Sequence, residues 1–334
     1  MDTINWGIIG CGDVTEIKSG PAFNKVKNSA LVAVMRRDAE KAKDYARRHN
    51  VPKWYSDAGK LINDPDVNAI YVATPPSSHE EYTIAAINAG KPVYVEKPMS
   101  VDAASAVRMA NAAREKNIKL VVAHYRRGHQ LFNKVKQLIN EGAIGEVRFV
   151  RSDIYKKSVT ADEMANPGRA WRVDTSIAGG GLFNDLSPHQ LDLMYYFFGE
   201  PGKTSGFSLN QSKQYAADDV VSGSILFKSG VLFSGIWCFN VAPEIEKDYC
   251  EIIGEKGKIE FSFFEHKPVV VTVNGKTETL TFDPLPHVQQ PMIENVVKYL
   301  LGYGRNPCSG EEGVKVMELI DDFTNNRKVS NLTQ

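Results

Sequence analysis

The sequence predicts two domains: an N-terminal α/β domain with a doubly wound parallel sheet, and a C-terminal α+β domain with a large, mostly antiparallel open sheet. The first prediction rests on short, continuously apolar runs that alternate with helix-like segments in the first third of the chain. The second rests on strand-sized segments separated by turn residues after position 206. The pattern of short apolar runs alternating with helical segments ends after Arg127, and no linker sequence or internal repeat marks the boundary. The predicted domains are therefore 1–123 and 124–334.

Five short apolar runs are the predicted strands of the parallel sheet. Strands buried on both faces carry apolar residues at consecutive positions rather than at alternate ones. The predicted strands cover residues 5–9, 30–35, 69–73, 93–95 and 119–123, and the predicted helices between them cover 38–49, 78–89 and 102–116. Repeated strand–helix–strand units predict right-handed crossovers and a Rossmann-type sheet.

Hairpin signals characterise the second domain. Asn274-Gly275 and the tripeptide 228–230 are typical of tight turns between antiparallel strands. Ser309 and Glu312 have the spacing of a capping box and predict the start of a final helix. One long helix is predicted over 130–141, and strands are predicted over 145–153, 220–228, 230–239, 249–254, 257–263 and 269–273.

Composition and charge argue against several classes of protein. Lys and Arg total 40, as do Asp and Glu, so the chain lacks the basic excess of a general nucleic-acid binder. No apolar stretch approaches the roughly 18–20 residues of a membrane span, and the N-terminus lacks the pattern of a secretion signal. The four cysteines show no zinc-ligand spacing. We therefore expect no metal site, reduced thiols and a cytoplasmic location.

A glycine-rich turn follows the first predicted strand. Gly10 permits the tight turn, and Gly12 lets the backbone approach a pyrophosphate. Asp13 and Val14 open the next helix, whose first N–H groups face the phosphate charge. Thr15 occupies the third fingerprint position, where Gly or Ala is usual. The placement after an apolar strand favours dinucleotide binding over a plain strand–helix turn.

The end of the second predicted strand bears on the choice of dinucleotide. An acidic residue there binds the ribose 2′-hydroxyl of NAD, whereas arginine accommodates the 2′-phosphate of NADP. Arg36 stands at this position, Arg37 is placed to stack on the adenine, and Asp38 has the character of a helix N-cap. The sequence therefore favours NADP, with NAD as the second choice. Two solvated loop arginines are the alternative interpretation.

Two further motifs give the chain a family resemblance. Residues 73–79 read Ala-Thr-Pro-Pro-Ser-Ser-His, and residues 95–98 read Val-Glu-Lys-Pro. These motifs resemble those of the glucose–fructose oxidoreductase, inositol dehydrogenase and rhizopine-catabolism (Gfo/Idh/MocA) family. Later motifs of the family follow in the family's order, so the resemblance covers nearly the whole chain. The later matching positions are Trp171, Arg172, 179–181, Asp185, His189, Asp192 and 253–257. The resemblance implies a Rossmann domain and an open sheet that joins subunits into a homodimer or homotetramer.

The resemblance also assigns the catalytic groups. It makes Lys97 the catalytic lysine, whose ammonium stabilises charge that develops on the reacting oxygen. Lys97-Pro98 is a bond at which the cis form costs little, and a cis bond there would aim the lysine. The resemblance makes His189 the acid/base for the hydroxyl proton, with Asp185 orienting the substrate or joining the proton path. Taken alone, a Lys-Pro pair is a loop and a helical histidine is more often structural.

The local sequence predicts how Asp185 and His189 are presented. Ser187 has the character of an N-cap and Pro188 that of a first helical residue, so the helix is predicted to begin there. Asp185 would then lie on a loop and His189 on the helix that the loop opens. Asp192, one turn further on, is interpreted as a supporting residue.

The rest of the site follows from the resemblance, with alternatives left open. The residues expected near the nicotinamide, its ribose or its carboxamide are Thr74, Pro75, His79 and Glu96. The residues expected around the substrate are Tyr125, Arg126, Trp171 and Arg172. The alternative for the second group is interdomain packing and salt bridging.

The activity that the resemblance implies is hydride transfer between nicotinamide and a secondary alcohol or ketone carbon. The implied substrates are sugars, polyols, inositols or related cyclic compounds, and the direction of reaction stays open. Two alternatives remain, a glycosidase that oxidises its sugar transiently with bound NAD and a non-catalytic nucleotide-binding sensor. The sensor is disfavoured because Lys97 and His189 are both present.

Overall fold

The computed structural model describes residues 2–324, apart from the side chains of Pro167 and Arg169, and divides them into two compact units. Unit 1 comprises 2–129 and 285–317, and unit 2 comprises 130–284 and 318–324. None of the helices in these ranges combines the length and the apolarity that a membrane span needs.

Unit 1 contains the predicted parallel sheet. In the part of the chain that the structure describes, six parallel strands lie in the order β3-β2-β1-β4-β5-β6. The strands are β1 (Ile4–Ile9), β2 (Ser29–Met35), β3 (Lys53–Tyr55), β4 (Ala69–Val72), β5 (Val93–Val95) and β6 (Leu120–Val122). The order reverses on either side of β1, which makes the carboxyl edge near β1 and β4 the crevice where such sheets bind ligands. The doubly wound fold predicted from the apolar runs is confirmed.

The helices of unit 1 connect these strands. They are α1 (Asp13–Ile17), α2 (Gly20–Phe23), α3 (Ala39–Arg48), α4 (Ala58–Ile62), α5 (His79–Asn88) and α6 (Ala103–Glu115). The predicted N-cap of α3 is confirmed, because the Asp38 carboxylate accepts a hydrogen bond of 3.1 Å from the Lys41 N–H. Such a cap satisfies one of the N–H groups that the first helical turn leaves without a partner.

Unit 2 contains the predicted antiparallel sheet. Eight described strands lie in the order β14-β13-β12-β11-β7-β10-β9-β8, and among them β7 and β10 are the parallel pair. The strands are β7 (Val147–Lys157), β8 (Pro201–Leu209), β9 (Val220–Phe227), β10 (Leu232–Val241), β11 (Lys247–Gly254), β12 (Gly257–Phe261), β13 (Val269–Val273) and β14 (Lys276–Leu280). On β10, Phe233 and Trp237 are buried, whereas Leu232 and Ile236 are exposed. One face of this sheet therefore packs into a core and the other is open and partly apolar.

Five helices of unit 2 precede β8. They are α7 (Gln130–Asn140), α8 (Ala161–Ala165), α9 (Pro167–Ala170), α10 (Thr175–Ala178) and α11 (Gly181–Phe198). The predicted start of α11 is wrong: the helix begins at Gly181, and Pro188 lies inside it. Gly179 and Gly181 have positive φ values of 85° and 73°, so the glycine run makes the turn that opens the helix. Pro188 is tolerated because its fixed φ is helical, although it forfeits one backbone hydrogen bond.

Residues 285–317 return to unit 1, whereas the sequence analysis assigned them to the second domain. This segment contains α12 (Gln290–Leu300) and the start of α13 (Gly310–Thr324). The close approach of Gly128 to α12 explains the grouping, since a Cβ at Gly128 would lie 2.7 Å from the Met292 nitrogen. The predicted capping box is confirmed: the Ser309 N–H donates to Glu312, 2.8 Å away, and the Glu312 N–H donates to the Ser309 hydroxyl, 3.3 Å away.

Candidate functional site

The glycine-rich turn lies directly after β1. Gly10 has a φ of +95°, and a Cβ there would lie 2.7 Å from the Thr74 side chain and 2.8 Å from its backbone nitrogen. Only glycine fits this position, because both its backbone conformation and its close approach to the loop after β4 exclude a side chain. A Cβ at Gly12 would instead meet the Gly10 carbonyl oxygen at 3.9 Å and no closer atom of the described residues. The turn thus leaves open space at Gly12, which fits the approach of a pyrophosphate.

Thr15 explains how the turn tolerates a residue other than Gly or Ala at the third fingerprint position. It is fully buried, and its hydroxyl donates a hydrogen bond of 2.8 Å to the Gly12 carbonyl oxygen. The Tyr45 hydroxyl donates to the Thr15 carbonyl oxygen over 2.7 Å. Thr15 therefore stabilises the turn through these two hydrogen bonds. At the start of α1, Asp13 is exposed and Val14 is half-buried.

The two arginines after β2 take different positions. Arg36 is half-buried, and its Nη1 donates to the Cys11 carbonyl oxygen over 3.3 Å, so its guanidinium lies at the glycine-rich turn. Arg37 is exposed and lines a cavity of about 310 Å³. The other residues that line this cavity are Met35, Ser56, Asp57, Ala58, Gly59, Ile62, Glu81, Tyr82 and Ala85. The cavity combines apolar and polar walls beside an arginine, which fits an adenosine group.

The loop after β4 carries Thr74 and Pro75, both half-buried. His79, the first residue of α5, is fully buried, and its two ring nitrogens lie 2.7 Å from the Thr74 carbonyl oxygen and 2.9 Å from the Pro98 carbonyl oxygen. Burial lowers the pKa of His79, while the two carbonyl oxygens, each within hydrogen-bond distance of a ring nitrogen, act in the opposite direction. His79 thus bridges the main chains of the loops that carry Thr74 and Lys97.

Glu96 and Lys97 follow β5 at the same sheet edge. The Lys97-Pro98 bond is cis, and the Lys97 side chain is half-buried. Glu96 is buried, with its Oε2 accepting a 3.1 Å hydrogen bond from the Lys97 N–H. Its Oε1 accepts from the Tyr71 hydroxyl and, over 2.6 Å, from the Gln289 amide. Both carboxylate oxygens are therefore engaged by groups of the protein.

Tyr125 and Arg126 lie in a 3-10 turn over Tyr125–Gly128, after β6. Both are buried, and the Arg126 guanidinium carbon lies 5.0 Å from the centre of the Tyr125 ring. That distance is within the range of a cation–π contact. The carboxyl ends of β1, β2, β4, β5 and β6 thus bring the predicted residues of unit 1 to one edge of the sheet.

In unit 2, α11 presents the predicted acid/base residues. Asp185, His189 and Asp192 are spaced four and three residues apart, so they lie on one face of the helix. The Arg172 Nε lies 3.4 Å from the Asp185 Oδ2, and the Arg172 guanidinium carbon lies 4.7 Å from the centre of the Trp171 ring. The structure therefore brings Trp171, Arg172 and Asp185 together as a stacked and ion-paired group.

A loop after β12 covers His189. The Phe264 ring meets the His189 ring edge to face, with the ring centres 5.6 Å apart. Asp248, buried on β11, holds this loop, because its carboxylate accepts from the N–H groups of Phe263, Phe264 and Glu265 at 3.0, 2.6 and 2.9 Å. The sequence analysis missed Asp248 and Phe264. The aspartate that begins Asp-Tyr-Cys-Glu was the available local signal, since a polar residue in a strand is a candidate for loop capping.

Comparison with known proteins supports the same architecture. Residues 4–124 match the family described as "Oxidoreductase family, NAD-binding Rossmann fold", and residues 132–260 match "GFO/IDH/MocA C-terminal domain". Oxidoreductase P35 of Formosa agariphila is 46% identical over 96% of this chain and 98% of its own. The 1,5-anhydro-D-fructose reductase of Ensifer adhaerens is 28% identical over 92% of each chain.

A solved structure of levoglucosan dehydrogenase in complex with NADH superposes with a TM-score of 0.85. The two chains are 25% identical, and the match covers 96% of this chain and 95% of the other. Both family models, in chain order, and the relative at 46% identity lead to one conclusion. The chain belongs to the Gfo/Idh/MocA family of NAD-binding oxidoreductases and is an NAD(P)-dependent dehydrogenase or reductase.

Proposed function

We propose that this enzyme interconverts a secondary alcohol and a ketone on a sugar, polyol, inositol or related cyclic substrate. The observation that carries the proposal is that Lys97 lies at the carboxyl edge of the parallel sheet that also carries the glycine-rich turn. Relatives named for 1,5-anhydro-D-fructose and levoglucosan support a carbohydrate as the substrate class. A nicotinamide cofactor, when bound at this edge, would supply or accept the hydride.

The roles of the side chains follow from their chemistry. The Lys97 ammonium stabilises negative charge on the reacting oxygen. His189 takes up or returns the hydroxyl proton, and the Phe264 ring limits the access of water to its imidazole. Asp185, held 3.4 Å from Arg172, offers carboxylate oxygens that orient a substrate hydroxyl. Tyr125, Arg126 and Trp171 are proposed as further walls of the substrate site.

We propose NADP as the preferred cofactor. Arg36 lies at the glycine-rich turn, and Arg37 lines a cavity after β2, which supports the proposal because two cations are available there for the charge of a 2′-phosphate. Gly10, Gly12 and the start of α1 support the pyrophosphate. Thr74, Pro75 and the loop that His79 stabilises support the nicotinamide end.

The cofactor proposal is tested by fluorescence titration of the protein with NADPH and NADH. We expect NADPH to bind more tightly, and Arg36→Ala to weaken NADPH about tenfold or more while leaving NADH within about threefold, since one charge-assisted contact is lost. Arg47→Ala, which removes an exposed arginine paired with Asp44, is the control. Equal or tighter binding of NADH by the wild type would reject the NADP preference and leave the oxidoreductase assignment intact.

The reaction is tested by absorbance at the NADPH band with two substrates. Levoglucosan with NADP+ probes oxidation, and 1,5-anhydro-D-fructose with NADPH probes reduction, followed by a wider sugar and polyol panel. We expect Lys97→Met and His189→Gln each to lower kcat by about a hundredfold to ten-thousandfold. Release of free sugar from a glycoside without net change in NADPH would instead indicate the glycosidase. Full turnover by Lys97→Met would reject the proposed mechanism.

We propose that the open face of the eight-stranded sheet joins subunits into a dimer or tetramer. Phe149, Leu226, Leu232 and Ile236 are exposed neighbours on β7, β9 and β10. A contiguous apolar face of this kind is typical of a protein interface. Light scattering of the wild type should give a multiple of the monomer mass, and Leu232→Lys should shift it towards the monomer. A monomeric wild type would reject this assembly.

A further inference from the structure

Gln289 is a buried residue with no role in the activity proposed above. It immediately precedes α12, and its side-chain amide is fully enclosed within unit 1. Its Nε2 donates to the Glu96 Oε1 over 2.6 Å, while its Oε1 accepts from the Tyr94 hydroxyl over 3.3 Å. Both ends of the amide are therefore used, which fixes its orientation towards Glu96.

Glu96 transmits this contact to the lysine turn. One carboxylate oxygen accepts from Gln289 and Tyr71, and the other accepts from the Lys97 N–H over 3.1 Å. A buried carboxylate is stable only when donors satisfy its oxygens. Loss of the Gln289 amide would leave Oε1 with the Tyr71 hydroxyl alone among the contacts just described. The carboxylate would then shift, and the Lys97 main chain would shift with it.

The same groups reach the segment that follows the glycine-rich turn. The Gln289 N–H donates to the Lys18 carbonyl oxygen over 3.1 Å, and the Tyr71 Oη lies 3.2 Å from the Ser19 Oγ. Ser19, Tyr71 and Gln289 are all fully buried. A closed hydrogen-bonded network therefore connects the end of α1 with the loop after β5, and Gln289 contributes to both of its ends.

We propose that Gln289 is a positioning residue that sets the location of Lys97 through Glu96. Gln289 touches neither the reacting atoms nor the nucleotide in this role. It acts by holding the turn that carries the catalytic ammonium in place relative to the glycine-rich turn. The inference rests on the proposed function, because it assumes that Lys97 acts on the reacting oxygen.

The first test compares Gln289→Leu with the matched control Gln290→Leu. Gln290 is the next residue, is half-buried, and makes no side-chain hydrogen bond within the described residues. With levoglucosan and NADP+, and with 1,5-anhydro-D-fructose and NADPH, we expect Gln289→Leu to lower kcat about tenfold to a hundredfold, since a misplacement of about 1 Å can cost that much. The KM for the dinucleotide should change by less than about threefold, and Gln290→Leu should match the wild type. An unchanged kcat in Gln289→Leu would overturn the proposal.

A double-variant cycle separates positioning from a merely structural effect. In a Lys97→Met background, Gln289→Leu should lower the remaining kcat no further, because residues that act through one group are not additive. The same loss in both backgrounds would overturn the proposal. Tyr71→Phe, which removes one hydrogen-bond donor to the same Glu96 carboxylate, should give the same pattern. It replaces Gln289→Leu if that variant does not fold.

Hydrogen exchange gives a readout that needs no substrate. The Lys97 amide should exchange at least about tenfold faster in Gln289→Leu than in Gln290→Leu, since its acceptor is no longer held. Equal exchange would overturn the proposal. Full turnover by Lys97→Met would instead reject the proposed function, while the exchange at Lys97 still decides whether Gln289 holds this turn.

Discussion

Arg172 and Asp185 form an ion pair on the face of α11 that carries His189, with Nε and Oδ2 3.4 Å apart. The same guanidinium stacks 4.7 Å from the centre of the Trp171 ring. An arginine that pairs with a carboxylate and also stacks on an aromatic ring restricts the orientation of both groups. The pair therefore orders one wall of the proposed substrate site rather than serving only as a surface contact.

Arg172→Ala should lower kcat/KM more than it lowers stability. We expect a loss of about tenfold to a hundredfold in kcat/KM with the sugar substrate, which corresponds to about 1.4–2.8 kcal/mol. The free energy of unfolding should change by about 1 kcal/mol or less, because both side chains are partly exposed. Steady-state kinetics and urea denaturation measure the two effects. Arg148→Ala, at an exposed ion pair on β7, is the control, and an unchanged kcat/KM for Arg172→Ala would contradict the assignment.

The two glycines of the nucleotide turn should respond differently to alanine. Gly10→Ala should cost about 2 kcal/mol or more of unfolding free energy, because its φ is +95° and a Cβ would lie 2.7 Å from Thr74. Gly12→Ala should stay within about 1 kcal/mol of the wild type yet weaken NADPH binding about tenfold, since its Cβ enters the space for the pyrophosphate. Urea denaturation and fluorescence titration test the pair. Normal NADPH binding by a folded Gly12→Ala protein would reject this placement of the pyrophosphate.

The packing of Phe323 against the sheet gives a stability prediction within unit 2. A Cβ at Gly223 would lie 2.2 Å from the Phe323 ring, so Gly223→Ala should lower the free energy of unfolding by about 1–3 kcal/mol. In a Phe323→Leu background the same change should cost less than about 0.5 kcal/mol, because the ring that it meets is gone. Denaturant midpoints of the four proteins measure the coupling. Equal costs in both backgrounds would show that the glycine has another role.

The contact between Glu16 and Arg48 gives a pH prediction. The hydrogen bonds from Arg48, which lies 2.7 Å away, hold the pKa of Glu16 at about 2 in the folded protein. A carboxylate with a lowered folded pKa stabilises the protein above its ordinary value of about 4.5, and this stability disappears as the pH falls towards 2. Glu16→Gln should therefore be less stable than the wild type near pH 6, and the difference should shrink steadily below about pH 4.5. A difference independent of pH would contradict this assignment.

Local sequence was sufficient for much of unit 1. The continuous apolar runs predicted five of its strands because burial on both faces leaves no alternation. The short β3 was missed, since Lys-Trp-Tyr is too brief and too polar to register as a buried run. The Asp38 cap and the Ser309–Glu312 box were predictable because each involves residues only three positions apart.

The sequence by itself determined the fold class, the glycine-rich turn and the family resemblance around Lys97 and His189, because these depend on local patterns. The tertiary structure decided which distant residues support that chemistry. Gln289 donates a hydrogen bond to Glu96, which lies 193 positions earlier in the chain. Asp248 accepts hydrogen bonds from a loop 15 to 17 positions later, and Phe264 of that loop packs against His189. Periodicity cannot specify such contacts, because they depend on where the chain returns after packing. The helix through Pro188 illustrates the same limit, since the glycine run before it, and not the local Ser-Pro signal, determined where α11 begins.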